Sequence, residues 1–111
     1  HWMYGVANVR GRLLPIMDLA SFLGLPTNTV SSRDKRVLII ENGDMFSGLA
    51  VDGVLGMQYF AVDSYHAYTE NVVASMQNFV RGSYRKSEEE WKIFSTFALT
   101  EDSKFLDVSI W

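Results

Sequence analysis

The stretch YGVANVRGRLLPIMDLASFLGL, residues 4–25, carries a strand, a turn, a second strand and a short helix without a break. Val6, Asn8 and Arg10 alternate with Ala7 and Val9 in the way a half-buried strand does. Gly11 can take backbone angles that a side chain forbids, which predicts a turn at Arg10-Gly11. Leu13 to Met17 resumes an extended apolar run. Asp18 then offers its carboxylate to the free N–H groups of a helical turn, while Leu19, Phe22 and Leu23 recur at helical spacing. Gly24 and Pro26 end that helix.

A second hairpin is predicted over Arg36 to Val51, because Asn42-Gly43 suits a tight two-residue turn between two apolar runs. Val37, Leu38, Ile39 and Ile40 are apolar on both faces, the pattern of a strand covered on each side. Met45, Ser47, Leu49 and Val51 alternate with Phe46, Gly48, Ala50 and Asp52, and Gly48 marks a bulge or a close backbone approach. Asp52 is expected to cap the turn at Gly53, and Val54 to Val62 reads as a further strand. Thr27 to Lys35 is a polar loop inside one domain. Tyr65 to Met76 reads as a loop with one helical turn, with Thr69 as its candidate cap.

Phe79-Val80-Arg81-Gly82 echoes Asn8-Val9-Arg10-Gly11, so Gly82 is expected at a turn like that of Gly11. Trp91 to Leu99 then repeats the role of Leu13 to Leu19, and Thr100 with Glu101 and Asp102 starts a short helix holding Phe105 and Leu106. This degenerate duplication is what a pair of small β-barrels related by a pseudo-two-fold would leave in a sequence.

With 111 residues, of which 48% are hydrophobic, the chain suffices for one domain with a packed interior. Its net charge of −3, with ten Lys and Arg scattered along it, argues against nucleic acid, whose binding rests on phosphate neutralisation. The absence of cysteine removes disulfides and thiolate metal sites and fits a reducing compartment, the cytoplasm. Apolar runs of four or five residues are too short to span a bilayer.

Little in the chain offers catalysis. His1 and His66 have no partner at metal-ligand spacing, no Gly-rich phosphate loop follows a strand, and Glu88 to Glu90 read as a solvated hairpin tip. No enzyme activity, cofactor or metal is therefore expected. Arg10 has two readings: a brace for carbonyls at the end of a buried strand, or a fork for a partner's carboxylates. The brace is preferred on the residues alone, since Arg81 would repeat it. Fifteen aromatic residues, five Tyr, seven Phe and three Trp, leave an alternative function open: a small barrel that binds nucleic acid or a small ligand by stacking.

The motif of Gly5, Asn8, Arg10, Gly11, Pro15, Asp18 and Leu19, followed by VLIIENGDMFSGLAVDGV at 37–54, resembles the CheW-like domain of bacterial chemosensory arrays. Trp2, the wording around Arg10 and the run WKIFSTFAL at 91–99 are more similar to the variant serving type IV pilus twitching motility than to the flagellar one. The resemblance implies a mainly β fold, two SH3-like five-stranded barrels with short helices, in a single domain over 1–111. It implies a non-catalytic adaptor whose partners are the regulatory domain of a CheA-type histidine kinase and the cytoplasmic tip of a chemoreceptor. Partner contacts would fall at Asn8 and Arg10 and, beside the groove between the barrels, at Val37, Val54 and Met57, with Leu55 a further outward candidate. Gly11, Asp18, Gly43, Asp52 and Gly82 would serve turns and caps. His1-Trp2-Met3 already lies inside the family pattern, so the first barrel is expected to be incomplete and its bare strand edges to pair between copies.

Overall fold

Seven strands account for most of the regular structure in the computed structural model, which describes residues 3–25, 33–67 and 72–109. Residues 27–32 of the loop expected at Thr27–Lys35, the cap at Thr69, and His1 and Trp2 lie outside the described residues. Strands β1 (Met3–Val9) and β2 (Arg12–Asp18) pair antiparallel with Val9 opposite Arg12, so Arg10-Gly11 is the whole connection. Both residues have positive φ, 53° and 80°. Two left-handed residues in succession match the twist of the flanking strands, which makes this the favoured two-residue hairpin turn. At the other end of β2, Asp18 Oδ1 accepts a hydrogen bond from Ser21 N at 3.3 Å and caps α1 (Leu19–Phe22).

Strands β3 (Arg36–Asn42) and β4 (Met45–Val51) form the second hairpin in an unbroken register. Asn42 pairs with Met45, so the turn is Gly43-Asp44, one residue later than expected, with Gly43 at φ 60°. The sheet runs β1-β2-β4-β3, with β2 and β4 parallel. That order reverses the expectation for the two strands. Central β4 buries Ser47, Gly48, Leu49 and Ala50 in succession, while Val37, Leu38 and Ile39 of β3 are exposed. Four apolar residues in a row state what a strand could bury, and sheet order decides what it does bury.

Val54 to Val62 is not a strand: after Asp52 the chain runs without regular pairing to a 3-10 turn at Val62–Ser64. Strand β5 (Tyr65–His66), a second 3-10 turn at Ala74–Met76, and strands β6 (Val80–Lys86) and β7 (Glu89–Phe94) follow. These three strands form an antiparallel sheet in the order β5-β6-β7. Arg81-Gly82 lies inside β6, where the register shifts between Val80 and Ser83, and not at a turn. The β6–β7 turn is Ser87-Glu88, whose φ values are 52° and 68°. A local echo of the first motif does not carry its turn, because that turn needs the strand to end there.

Ser95 Oγ accepts from Ala98 N at 3.1 Å at the start of α2 (Thr96–Thr100), so the run Trp91–Leu99 is strand only as far as Phe94. Thr100 therefore ends a helix instead of starting one. The start of α3 (Ser103–Ser109) is capped by Asp102 Oδ1, which accepts from Lys104 N at 2.9 Å and Phe105 N at 3.2 Å.

The chain divides into two compact units, His1–Val54 with Thr100–Trp111, and Leu55–Leu99. Each has its own sheet, of four and three strands among the described residues. Leu14, Met17, Leu23, Leu49, Ala50 and Phe105 form the buried interior of the first, where Phe105 meets Phe22 edge-on at 6.0 Å. Phe79 and Leu99 are buried in the second, with the Phe79 ring 5.6 Å from Phe94.

Candidate functional site

The β1–β2 turn holds one arginine out in solvent. Asn8 Oδ1 accepts from Gly11 N at 3.0 Å, closing the turn from within, and Arg10 sits exposed on its outer side. Its guanidinium has no hydrogen bond or ion pair among the described residues. The brace preferred from sequence is therefore corrected: Arg10 follows β1 on an exposed turn, with no buried carbonyl to hold. Asn8, read as a contact residue, spends its side-chain oxygen on the turn itself.

Arg12, the next cation along, is engaged. Its Nη1 lies 2.9 Å from Glu41 Oε2, and its guanidinium stacks 3.9 Å above the Phe46 ring. Together with Glu41 and Phe46 it marks the end of the sheet at which Arg10 projects. An exposed pair of this kind contributes about 0.2–1 kcal/mol, and the ring contact about 0.5–1 kcal/mol.

Val37 belongs to the opposite end. It pairs with Ala50 and packs on Gly48, where an added Cβ would lie 2.8 Å from Val37 Cγ1. Gly48 is thus a close approach in an unbroken ladder. Glu41 lies four residue steps along β3 from Val37, about 13 Å at the usual rise per residue, so the fold does not gather Arg10 and Val37 at one point. Beside Val37, Lys35 Nζ lies 3.1 Å from Asp52 Oδ1 and 3.6 Å from Asp18 Oδ2. The Asp52 hydrogen bond, with help from the Asp18 charge, raises the Lys35 pKa above its ordinary value despite burial pulling the other way. One ammonium thus joins the aspartates of both sequence motifs, a role for Lys35 that its place in a polar loop did not reveal.

Val54 is half exposed, and Met57 is 82% exposed, its sulfur accepting from the Tyr59 hydroxyl at 3.7 Å. Leu55 and Tyr59 are similarly bare. Met57 lies in the second unit, the other four candidate contacts in the first. Sequence reading missed Leu13, Leu38 and Ile39, all exposed, because an apolar residue on a strand carries no local signal of which side is covered.

In the second unit Phe60, Tyr65, Tyr84 and Trp91 pack on one another. Phe60 stacks on Tyr84 at 5.0 Å and meets Trp91 at 5.5 Å, Tyr65 lies 5.4 Å from Tyr84, and Lys86 Nζ sits 5.5 Å from the Phe60 ring centre. Ser83, fully buried, donates to Glu90 Oε2 at 3.1 Å, and Lys92 lies 3.3 Å from Glu90 Oε1. Burial pushes the Glu90 pKa up, but those two partners outweigh it and hold the carboxyl below its usual range. Of the expected Glu88–Glu90 tip, only Glu88 lies in the turn; Glu89 and Glu90 belong to β7. Among the described residues no three His, Asp or Glu side chains cluster as metal ligands, and no helix is long and apolar enough to cross a membrane.

A family model described as the CheW-like domain matches residues 1–104. Protein PilI of Pseudomonas aeruginosa is 46% identical over 109 residues, which are 98% of this chain and 60% of PilI. Chemotaxis protein CheW of Thermotoga maritima is 35% identical over 57 residues, 51% of this chain and 36% of that protein. The crystal structure of the scaffolding protein TtCheW from Thermoanaerobacter tengcongensis aligns with a TM-score of 0.69 at 26% identity, covering 85% of this chain and 63% of that one. The chain thus spans less than two thirds of the length of these relatives.

Proposed function

The chain belongs to the CheW-like domain family, and we propose from that membership that it is a non-catalytic adaptor linking chemoreceptors to a CheA-type histidine kinase in the system that drives pilus-based twitching. The observation that carries the reading to particular residues is the exposed Arg10, whose guanidinium has no hydrogen bond or ion pair among the described residues, on a turn that Asn8 and Gly11 build. A planar fork of this kind donates two parallel hydrogen bonds to a carboxylate, which fixes orientation as well as affinity. Asn8 acts by setting the turn. Val37, Val54 and Met57 supply apolar anchors, since a few desolvated side chains carry most of the energy of a protein contact. Similarity to PilI favours the pilus system over the flagellar one.

Titration calorimetry against the regulatory domain of a CheA-type kinase, and against a chemoreceptor cytoplasmic tip, tests this. The parent is expected to bind one or both at tens of micromolar or tighter, with Arg10→Glu at least tenfold weaker and its unfolding transition unchanged. Absence of parental binding to either partner overturns the adaptor reading. Parental affinity in Arg10→Glu removes Arg10 from the contact.

A further inference from the structure

Residues 53–61 carry no regular structure, yet their side chains fasten them to the sheet of the second unit. One row of aromatic residues runs straight across that sheet: Tyr65 of β5 pairs with Tyr84 of β6, which pairs with Trp91 of β7. Directly paired residues of an antiparallel sheet point to the same face, so the three side chains form a floor. The Phe60 ring lies on it, 5.0 Å from Tyr84 and 14° off parallel, and 5.5 Å from Trp91. Two residues earlier, Gln58 Oε1 accepts from Lys86 Nζ at 3.3 Å. Phe60 over Tyr84 and Gln58 beside Lys86 lay the segment antiparallel to β6, across the face that carries both residues. The same Gln58 amide donates from Nε2 to Leu55 O at 2.9 Å and closes a turn in which Gly56 has φ 81°.

Extended backbone sends successive side chains to opposite sides, and the segment follows that rule. Gln58 and Phe60 are half-buried, while Met57, Tyr59 and Ala61 are exposed. On the outer side the Tyr59 hydroxyl donates to the Met57 sulfur at 3.7 Å, so these two side chains form one unit. We infer that Phe60, with Gln58 as a second fastening, is a positioning residue for partner binding: it holds the segment on the sheet and presents Met57 and Tyr59 together before a partner arrives. Such preorganisation raises affinity by removing the cost of ordering from the binding step. The role rests on the adaptor reading, in which Met57 is an apolar anchor, and adds to it the residue that sets the anchor in place.

Phe60→Ala and the conservative Phe60→Tyr test this role by two measurements. Backbone N–H order parameters at Met57 and Tyr59, from nitrogen relaxation, should lie near the rigid value of about 0.85 in the parent and in Phe60→Tyr, and below about 0.6 in Phe60→Ala. Those of β6 and β7 should not change. Titration calorimetry against the kinase regulatory domain and the chemoreceptor tip should find Phe60→Ala about tenfold weaker than the parent and Phe60→Tyr within about twofold of it. Since Phe60 acts through Met57, the same Phe60→Ala change made in a Met57→Ala protein should alter affinity by less than about twofold. Order parameters at Met57 and Tyr59 that stay rigid in Phe60→Ala overturn the role, as does an equal loss of affinity in the parent and Met57→Ala backgrounds. If Phe60→Ala loosens β6 as well, Gln58→Ala takes its place, and unchanged order parameters there overturn the role. A parent that binds neither partner defeats the adaptor reading instead, a result the order parameters keep apart from a segment that was never fastened.

Discussion

Two Arg-Gly pairs, Arg10-Gly11 and Arg81-Gly82, read alike in the sequence and do opposite things in the fold. At the first, the strand ends, both residues turn left-handed, and a Cβ on Gly11 would meet nothing within 4 Å. At the second, the strand continues. Gly82 is buried at φ 113°, and a Cβ there would lie 2.7 Å from His66 O and 2.9 Å from the Tyr65 ring. Gly11 answers a conformational demand alone, Gly82 a conformational and a steric one. The arginines divide in the same way. Arg81 donates to Asn78 O at 2.8 Å and braces its own backbone, while Arg10 has no such bond among the described residues. A dipeptide states which backbone angles are affordable, and its neighbours in space decide why they are used.

Alanine at the two glycines tests this difference most strongly. Gly82→Ala should cost about 3 kcal/mol, combining left-handed strain with overlap against a backbone oxygen that cannot move aside. Gly11→Ala should cost about 1–2 kcal/mol, strain only. Urea unfolding of both variants checks the order, and equal losses would erase the distinction. The arginines come next. Arg81→Ala should lose about 1 kcal/mol with its hydrogen bond, whereas Arg10→Ala should stay within about 0.5 kcal/mol of the parent. A destabilised Arg10→Ala would restore it as a brace.

The Ser87-Glu88 turn sharpens the comparison from the other side, because it takes the Arg10-Gly11 conformation with no glycine at all. Glu88→Gly should therefore stabilise the protein by about 1 kcal/mol, read as a rise in the melting temperature. The smallest effect is on pH. Since Glu90 has a depressed pKa in the fold, its contribution is present above the ordinary carboxylate value and fades as pH falls through the lowered one. Ser83→Ala should shrink that acid-side loss, followed as the pH dependence of the melting temperature.

Much of the first unit was legible because its determinants are local. The Arg10-Gly11 turn, the Asp18 cap and the glycine-led β3–β4 turn each depend on residues within four positions of one another. What was misread depended on distant neighbours. Val54–Val62 has the composition of a strand but finds no ladder, and Phe60 instead stacks on Tyr84 from twenty-four residues away. The last helices begin at Ser95 and Asp102 and not at Thr100, because a cap requires an oxygen placed where free N–H groups emerge, and several nearby side chains could have supplied one. The site divides in the same manner. Arg10 stood out in the sequence, but its lack of a bracing bond among the described residues did not, and neither did the meeting of Asp18, Lys35 and Asp52.

From its residues alone, the chain specifies two antiparallel hairpins in its first half, the helix after Asp18, and the ordered motifs that mark its family, since turns, caps and alternation act over a few bonds. Which strand became the middle of the sheet was decided only in three dimensions. The parallel pairing of β2 with β4 buried Ser47 to Ala50 and left Val37 to Ile39 about half exposed, because burial belongs to the set of neighbours that surrounds a residue and not to the residue itself.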